Sequence, residues 1–302
     1  MSKEQTNPKD SLRMVLIGKT GAGKSAVGNT ILMKKKKAFK SSVCSASVTI
    51  VCQRESGEVQ DQKLEVIDTP GLFDTELSEE QVTAEIAKCI SYATPGPHVF
   101  LIILKADRFT KEEEETVKIL QKLFGEQAAC YTMALFTRGD DLEADGVTIK
   151  TVIDKNKALK AFLDQCKGGF HVFNNRNKEP AQVHELLKKI NTMVQRNGGR
   201  YYTNEMFQEA EKAVQKKMNE LLKDDPQKDR DEARSEAKEH VALHESGVLF
   251  GATIGALFGP VGAAIGATVG AIVDAVKNKK YVRHRSTRTQ INPNPNPEST
   301  IK

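Results

Sequence analysis

The run Gly18-Lys19-Thr20-Gly21-Ala22-Gly23-Lys24-Ser25 ends in a lysine and a hydroxyl and directly follows the apolar stretch "MVLI". It satisfies G-x-x-x-x-G-K-[ST], a pattern with a physical rationale. A loop with few side chains can wrap a polyphosphate with its backbone N–H groups. The helix that follows turns its positive N-terminal end toward the same anion. Lys24 is placed to reach the β- and γ-phosphates, and the Ser25 hydroxyl to ligate Mg²⁺. The expected nucleotide-binding stretch is Gly18, Lys19, Thr20, Gly21, Ala22, Gly23, Lys24, Ser25 and Ala26.

A second group lies downstream in "LEVIDTPG", where Asp68 and Gly71 follow Ser25 by 43 and 46 residues. Asp68 closes an apolar strand, where a carboxylate can hold magnesium through water. The Gly71 N–H can approach a γ-phosphate. Between the two motifs, "SSVCSASVTIVC" offers a switch hydroxyl. Thr49 is assigned to the metal and Ser41 to the nucleotide, with Ser42, Ser45 and Ser47 as competitors.

Base choice rests on two later loops. In "ALFTRGDDL", Arg138-Gly139-Asp140-Asp141 fills the four slots of the usual guanine signature Asn-Lys-x-Asp and keeps only its final acid. A carboxylate there accepts from guanine N1–H and its 2-amino group, which adenine does not offer. In "FHVFNNRN", Asn174 and Asn175 can bond guanine O6. The order and spacing of the loops favour guanine over adenine.

Strands and helices must hold these groups. "RMVLIG", "LEVIDT", "HVFLIIL", "YTMALFT" and "FHVFN" read as strands, and "SVTIVCQR" near 47–54 as one more. Helical periodicity predicts helices near 24–33, 79–92, 111–124, 153–166 and 181–196. Strands apolar on both faces belong in a mostly parallel, doubly wound sheet. Ligands in such α/β sheets bind at the carboxyl ends of the strands. The expected order is a tail at 1–10, a nucleotide domain at 11–197 and a helical extension at 198–246. A Gly/Ala-rich hydrophobic segment at 247–275 and a basic disordered tail at 276–302 follow.

Composition sets limits. With no tryptophan and 6% aromatics, a stacking platform for single-stranded nucleic acid is disfavoured. The net charge of +5 comes from local runs such as Lys34 to Lys37 and 277–288, so nucleic acid is not an expected partner. Five cysteines without a CxxC pair point to a reducing compartment. The ends carry no apolar signal core, no glycine in the second position for myristoylation and no prenylation box, so a cytoplasmic nucleotide domain is expected.

"GKTGAGKSAVGNTIL", "DTPGLFD", "GPHVFLIILKADRFTKEEE", "LFTRGDDL", "FNNR" and "NGGRYYTNEMF" together resemble the immunity-associated (IMAP) GTPases of the septin and Toc-like branch, over about residues 11 to 222. The resemblance implies a P-loop GTPase domain and a GTP/GDP switch with Mg²⁺. It also implies dimerisation across the nucleotide face, assembly on membranes and an immune role. No glutamine follows "DTPG" to orient water, so unaided hydrolysis should be slow. In the family the arginine matching Arg108 can act across the dimer, so Arg108 joins Lys24 as a catalytic candidate; the alternative for Arg108 is a surface ion pair with Glu112 to Glu115. A non-hydrolysing GTP-bound scaffold and an adenine-specific ATPase are the rival readings.

From Gly247 to Val273 there is no charge, and glycines recur every fourth residue on either side of Gly259-Pro260. Such spacing lets helices approach closely in lipid. Each 13-residue arm is about 20 Å long as helix, too short to span a bilayer core of about 30 Å. The basic residues beyond favour the cytosolic side. Attachment to the cytosolic face of an intracellular membrane, through a hairpin turning at Gly259-Pro260, is therefore expected. A single span and a segment packed on its own protein are the alternatives.

Overall fold

The computed structural model describes residues 11–34, 36, 38–39, 51–71, 79–107, 109–177 and 179–255. Ser41, Thr49 and Arg108 lie outside these residues, as do both tails and most of the 247–275 segment.

Alternating apolar positions build the centre. β1 (Leu12–Ile17) sends Met14 and Leu16 to one face and Val15 and Ile17 to the other, all essentially buried. β3 (Gln62–Asp68), β4 (Val99–Lys105), β5 (Thr132–Thr137) and β6 (Phe170–Val172) join it in parallel. The described residues form a six-stranded sheet ordered β2-β3-β1-β4-β5-β6. Helices α1 (Lys24–Leu32) and α7 (Ala181–Arg196) cover one face, burying Val27, Ile31, Leu186 and Ile190. Helices α2 (Glu79–Tyr92) and α3 (Lys111–Phe124) lie on the opposite face. Burial of each large apolar side chain in these layers stabilises the fold by about 1.5–3 kcal/mol. The doubly wound α/β architecture expected from the apolar runs is the one observed.

Three details depart from the sequence reading. The strand expected near 47–54 is β2 (Gln53–Val59), which pairs antiparallel with β3 through a turn at Gln60-Asp61; residues 41–50 lie outside the described set. Its sequence, QRESGEV, has no apolar run because the strand sits at the sheet edge and is only partly buried. The helix expected at 153–166 is two, α5 (Ile149–Lys155) and α6 (Lys157–Gln165). Asn156 divides them: its extended backbone ends the first, and its side chain accepts from Leu159 N at 3.0 Å to start the second. A short helix, α4 (Gly139–Ala144), starts inside the base loop.

The helical extension packs onto the α2–α3 face. Tyr202 and Phe207 join Phe100 and Phe124 in an aromatic cluster, with Phe207 stacked on Phe124 at 5.7 Å between centroids. Helix α8 (Glu205–Asp224) carries Phe207 and Ala210 into the core and packs Val214 and Met218 against α9 (Arg230–His240). Helix α9 lies against the β2–β3 hairpin. There buried Lys238 donates to Glu65 Oε2 at 2.7 Å, and Arg54 donates to Ser235 Oγ at 2.6 Å. Burial alone would raise the Glu65 carboxyl, but the charges of Lys238, Arg54 and Arg13 hold it well below its usual range. A π-helical turn at Val241–Glu245 leads into α10 (Ser246–Gly255), which packs along α2 and buries Phe250. The helix thus runs through the 246/247 boundary set by composition, because Phe250 finds an apolar surface on the domain itself. Among the described residues, no helix is long and apolar enough to cross a membrane.

Candidate nucleotide site

The carboxyl ends of β1, β3, β4, β5 and β6 gather the candidate residues at one rim of the sheet. After β1, the 18–23 loop turns into α1 with Gly23 at φ 101°, a left-handed conformation that a side chain would strain. Lys24 is 6% exposed, and its ammonium folds over the loop, donating to Gly18 O at 2.9 Å and Lys19 O at 3.0 Å. The charge is therefore centred at the mouth of the loop.

Ser25, in the first turn of α1, donates its hydroxyl to Asp68 Oδ2 at 2.6 Å. Asp68 is fully buried at the end of β3. Two residues 43 apart in sequence thus meet beside the loop, and both carry hard oxygen donors suited to a small divalent cation. Gly71 completes this wall. A Cβ there would sit 2.2 Å from Thr20 Oγ1 and 2.8 Å from Thr20 N, so only glycine permits the two loops to touch. The donor set and the side-chain-free loop fit a Mg²⁺–polyphosphate group.

Two threonines that the motif reading passed over brace the loop. Thr137, at the end of β5, bonds Ala22 O at 2.9 Å and Leu104 O at 3.2 Å, tying the loop to two strands. Thr69 donates to Leu16 O at 2.7 Å and ties the Asp68 strand end to β1. A hydroxyl residue closing an apolar strand, as in "TMALFT", was the available signal.

The base loop is built from side chains. Gly139 N donates to Phe173 O at 3.0 Å, which brings Arg138, Asp140 and Asp141 next to Asn174 and Asn175. Arg138, left-handed at φ 65°, points its guanidinium at Asp107 Oδ2, 3.0 Å away, with Asp141 Oδ2 at 3.6 Å. Asp140 pairs with Arg176 at 3.1 Å. The Asn174 side-chain Oδ1 closes its own turn, accepting from Arg176 N and Asn177 N at 2.9 and 3.0 Å. Asn175 instead reaches toward α1: its Oδ1 lies 3.0 Å from Thr30 Oγ1, and its Nδ2 would be 3.8 Å from a Cβ on Gly23. Of the paired asparagines, Asn175 therefore stands between the phosphate loop and the base loop.

Comparison with known proteins agrees with this arrangement. Residues 12–221 match the model of the AIG1 family. GTPase IMAP family member 8 of Homo sapiens is 38% identical over 205 residues, covering 67% of this chain and 30% of that protein. Immune-associated nucleotide-binding protein 9 of Arabidopsis thaliana is 37% identical over 233 residues, 72% of this chain and 66% of that protein. The chain thus spans from under a third to just under two thirds of the length of these relatives. Among solved structures, Toc33 from Arabidopsis thaliana in complex with GDP and Mg²⁺ shares the fold, with a TM-score of 0.50 and 19% identity over 64% of this chain and 87% of that one. A dimerization-deficient mutant of the same protein gives 0.51 and 19%, over 65% of this chain and 88% of that one.

Proposed function

From the premise that the chain belongs to the AIG1 family, we propose that it is a guanine-nucleotide switch: a GTPase that binds GTP/GDP with Mg²⁺ and hydrolyses GTP slowly alone. The observation that carries this reading is the 2.6 Å contact between Ser25 and Asp68 beside the Gly18–Ser25 loop. It joins a hydroxyl and a carboxylate beneath a backbone cradle, the arrangement that magnesium-bound triphosphate requires. Mg²⁺, when bound, would supply positive charge that offsets the charge of the phosphates. Ser25 and Asp68 would hold it, with Thr49 supplying the switch hydroxyl; Ser41 and Gly71 would face the phosphates. Asp141 would read guanine N1–H and the 2-amino group, and Asn175, with Asn174 beside it, guanine O6. Arg138 and Asp140 would hold the base loop through Asp107 and Arg176.

Arg108 would act as a finger supplied across a dimer formed on the nucleotide face, a role that adds roughly 10³–10⁵ in rate in well-studied GTPases. That the solved relatives include a dimerization-deficient mutant of Toc33 is consistent with self-association. Attachment through 247–275 would bring the protein to the cytosolic face of an intracellular membrane, and the immune-associated relatives suggest an immune role. GTP turnover measured against protein concentration, for the wild type and Arg108→Ala, with and without liposomes, tests the whole reading. Specific activity rising with concentration, and flat for Arg108→Ala, is the expected result. A second reading follows from the absence of glutamine after "DTPG" in Leu72-Phe73-Asp74: a GTP-bound scaffold that barely turns over. Negligible turnover with stable GTP-dependent oligomers would select it.

A further inference from the structure

Two buried thiols lie on the α2 face of the sheet, apart from the phosphate cradle. Cys52 immediately precedes β2, and its backbone N–H donates to Glu85 Oε2 at 2.5 Å. Glu85 and Cys89 are one helical turn apart on α2 and share a face. This backbone tether sets Cys52 against the α2 face that carries Cys89, within the same apolar cluster. Both are buried in one apolar cluster, 2% and 5% exposed, and both are free thiols. Beside Cys89 lies a cavity of about 20 Å³, bordered by Thr69, Pro70, Glu85 and Phe124. It has room for one water-sized molecule.

We propose that Cys52 and Cys89 form a redox site, oxidised by hydrogen peroxide to a disulfide that fastens the start of β2 to α2. In the first step one sulfur attacks a peroxide oxygen; the O–O bond breaks, giving a sulfenic acid and water. In the second, the other sulfur attacks the sulfenic sulfur, the S–S bond forms and a second water leaves. Two thiols are oxidised and one peroxide is reduced to two waters. Forming the bond brings the two sulfurs to about 2.05 Å.

The linkage would pin the start of β2, where Gln53 next to Cys52 pairs with Asp68 in the sheet, to α2. A disulfide there would restrict the strand end that carries Asp68 and Gly71, so nucleotide exchange should slow. That consequence rests on the proposed guanine-nucleotide reading; the disulfide itself does not. Burial, then the neighbouring Cys89, pushes the Cys52 thiol well above its usual range, and the carboxylates of Glu85 on α2 and Asp68 on β3 push the same way. Oxidation should therefore be slow and should accelerate with pH, because the thiolate is the nucleophile.

The test treats the full chain with hydrogen peroxide, maps disulfides by non-reducing peptide mass spectrometry, and measures release of a fluorescent GDP analogue. The expected result is a Cys52–Cys89 linked peptide, GDP release slowed about fivefold or more, and full recovery with dithiothreitol. Cys52→Ser and Cys89→Ser should each remove both the link and the slowing while leaving release from the reduced protein unchanged. A map that pairs other cysteines, or no link at all, overturns the proposal. So does a fully linked protein with unchanged GDP release. Failure of the reduced protein to bind guanine nucleotide would instead sink the nucleotide reading, and the peptide map would still decide the disulfide.

Discussion

The phosphate end and the base end of the candidate site are built from different material. At the phosphate end, a loop rich in glycine and held by Thr137, Thr69 and the Ser25–Asp68 contact presents backbone groups in a fixed frame. At the base end, the discriminating groups are side chains on two loops from separate strands. They are joined by exposed ion pairs such as Arg176–Asp140, in which the arginine side chain is 86% exposed. Backbone recognition demands one particular chain path, so it constrains residue types tightly. Side-chain recognition needs only a suitable donor or acceptor at a given point, and more than one sequence supplies that.

The largest expected effect lies at the phosphate end. Lys24→Ala removes the buried ammonium from the loop mouth and should weaken GTP and GDP alike by about 100-fold, as loss of a charged hydrogen-bond donor worth about 2–3 kcal/mol implies. Titration with a fluorescent guanine nucleotide and circular dichroism of the apo variant measure it. Asp141→Asn should cost guanine nucleotides about 30-fold and improve binding of xanthine nucleotides, since an amide can donate to the 2-oxo group. Competition between GDP and xanthosine diphosphate separates this from unfolding; equal losses for both would remove Asp141 as the base reader.

Thr137→Val keeps the shape but deletes the brace between Ala22 O and Leu104 O. A loss of about 1 kcal/mol, or roughly fivefold in affinity for both GDP and xanthosine diphosphate, is expected. If discrimination between bases changed instead, the separation of the two ends would fail. Arg176→Ala should be the mildest, within about twofold for any nucleotide, because a pair whose arginine is this exposed falls at the low end of the about 0–1 kcal/mol that surface ion pairs contribute. A loss as large as that of Asp141→Asn would mean that nucleotide binding buries the Arg176–Asp140 pair.

The same contrast governs how much could be read before the fold was seen. Gly18 to Ser25 and the "DTPG" stretch were legible because glycine at fixed spacing has few other uses. The central strands were legible because burial on both faces leaves continuous apolar runs. β2 was displaced in the reading because an edge strand with a solvated surface carries no such run. The division of 153–166 at Asn156 was missed because helical periodicity continued while the backbone did not. Asn174 and Asn175 were indistinguishable as letters; only their hydrogen bonds separate a residue that closes its own turn from one that reaches α1.

By itself, the sequence determined the doubly wound α/β class, the phosphate loop and the helical character of the extension. Each is dictated by local rules: the period of apolar residues, the steric permissiveness of glycine and the spacing of a motif along one turn. The tertiary structure alone decided which partners meet across long separations: Ser25 with Asp68, Gly71 with Thr20, Cys52 with Cys89 on α2, and Lys238 with Glu65. It also decided that Phe250, inside a stretch whose composition suggests lipid, is buried beside α2. Such contacts depend on how strands are ordered and helices layered, and no local pattern of residue types encodes that order.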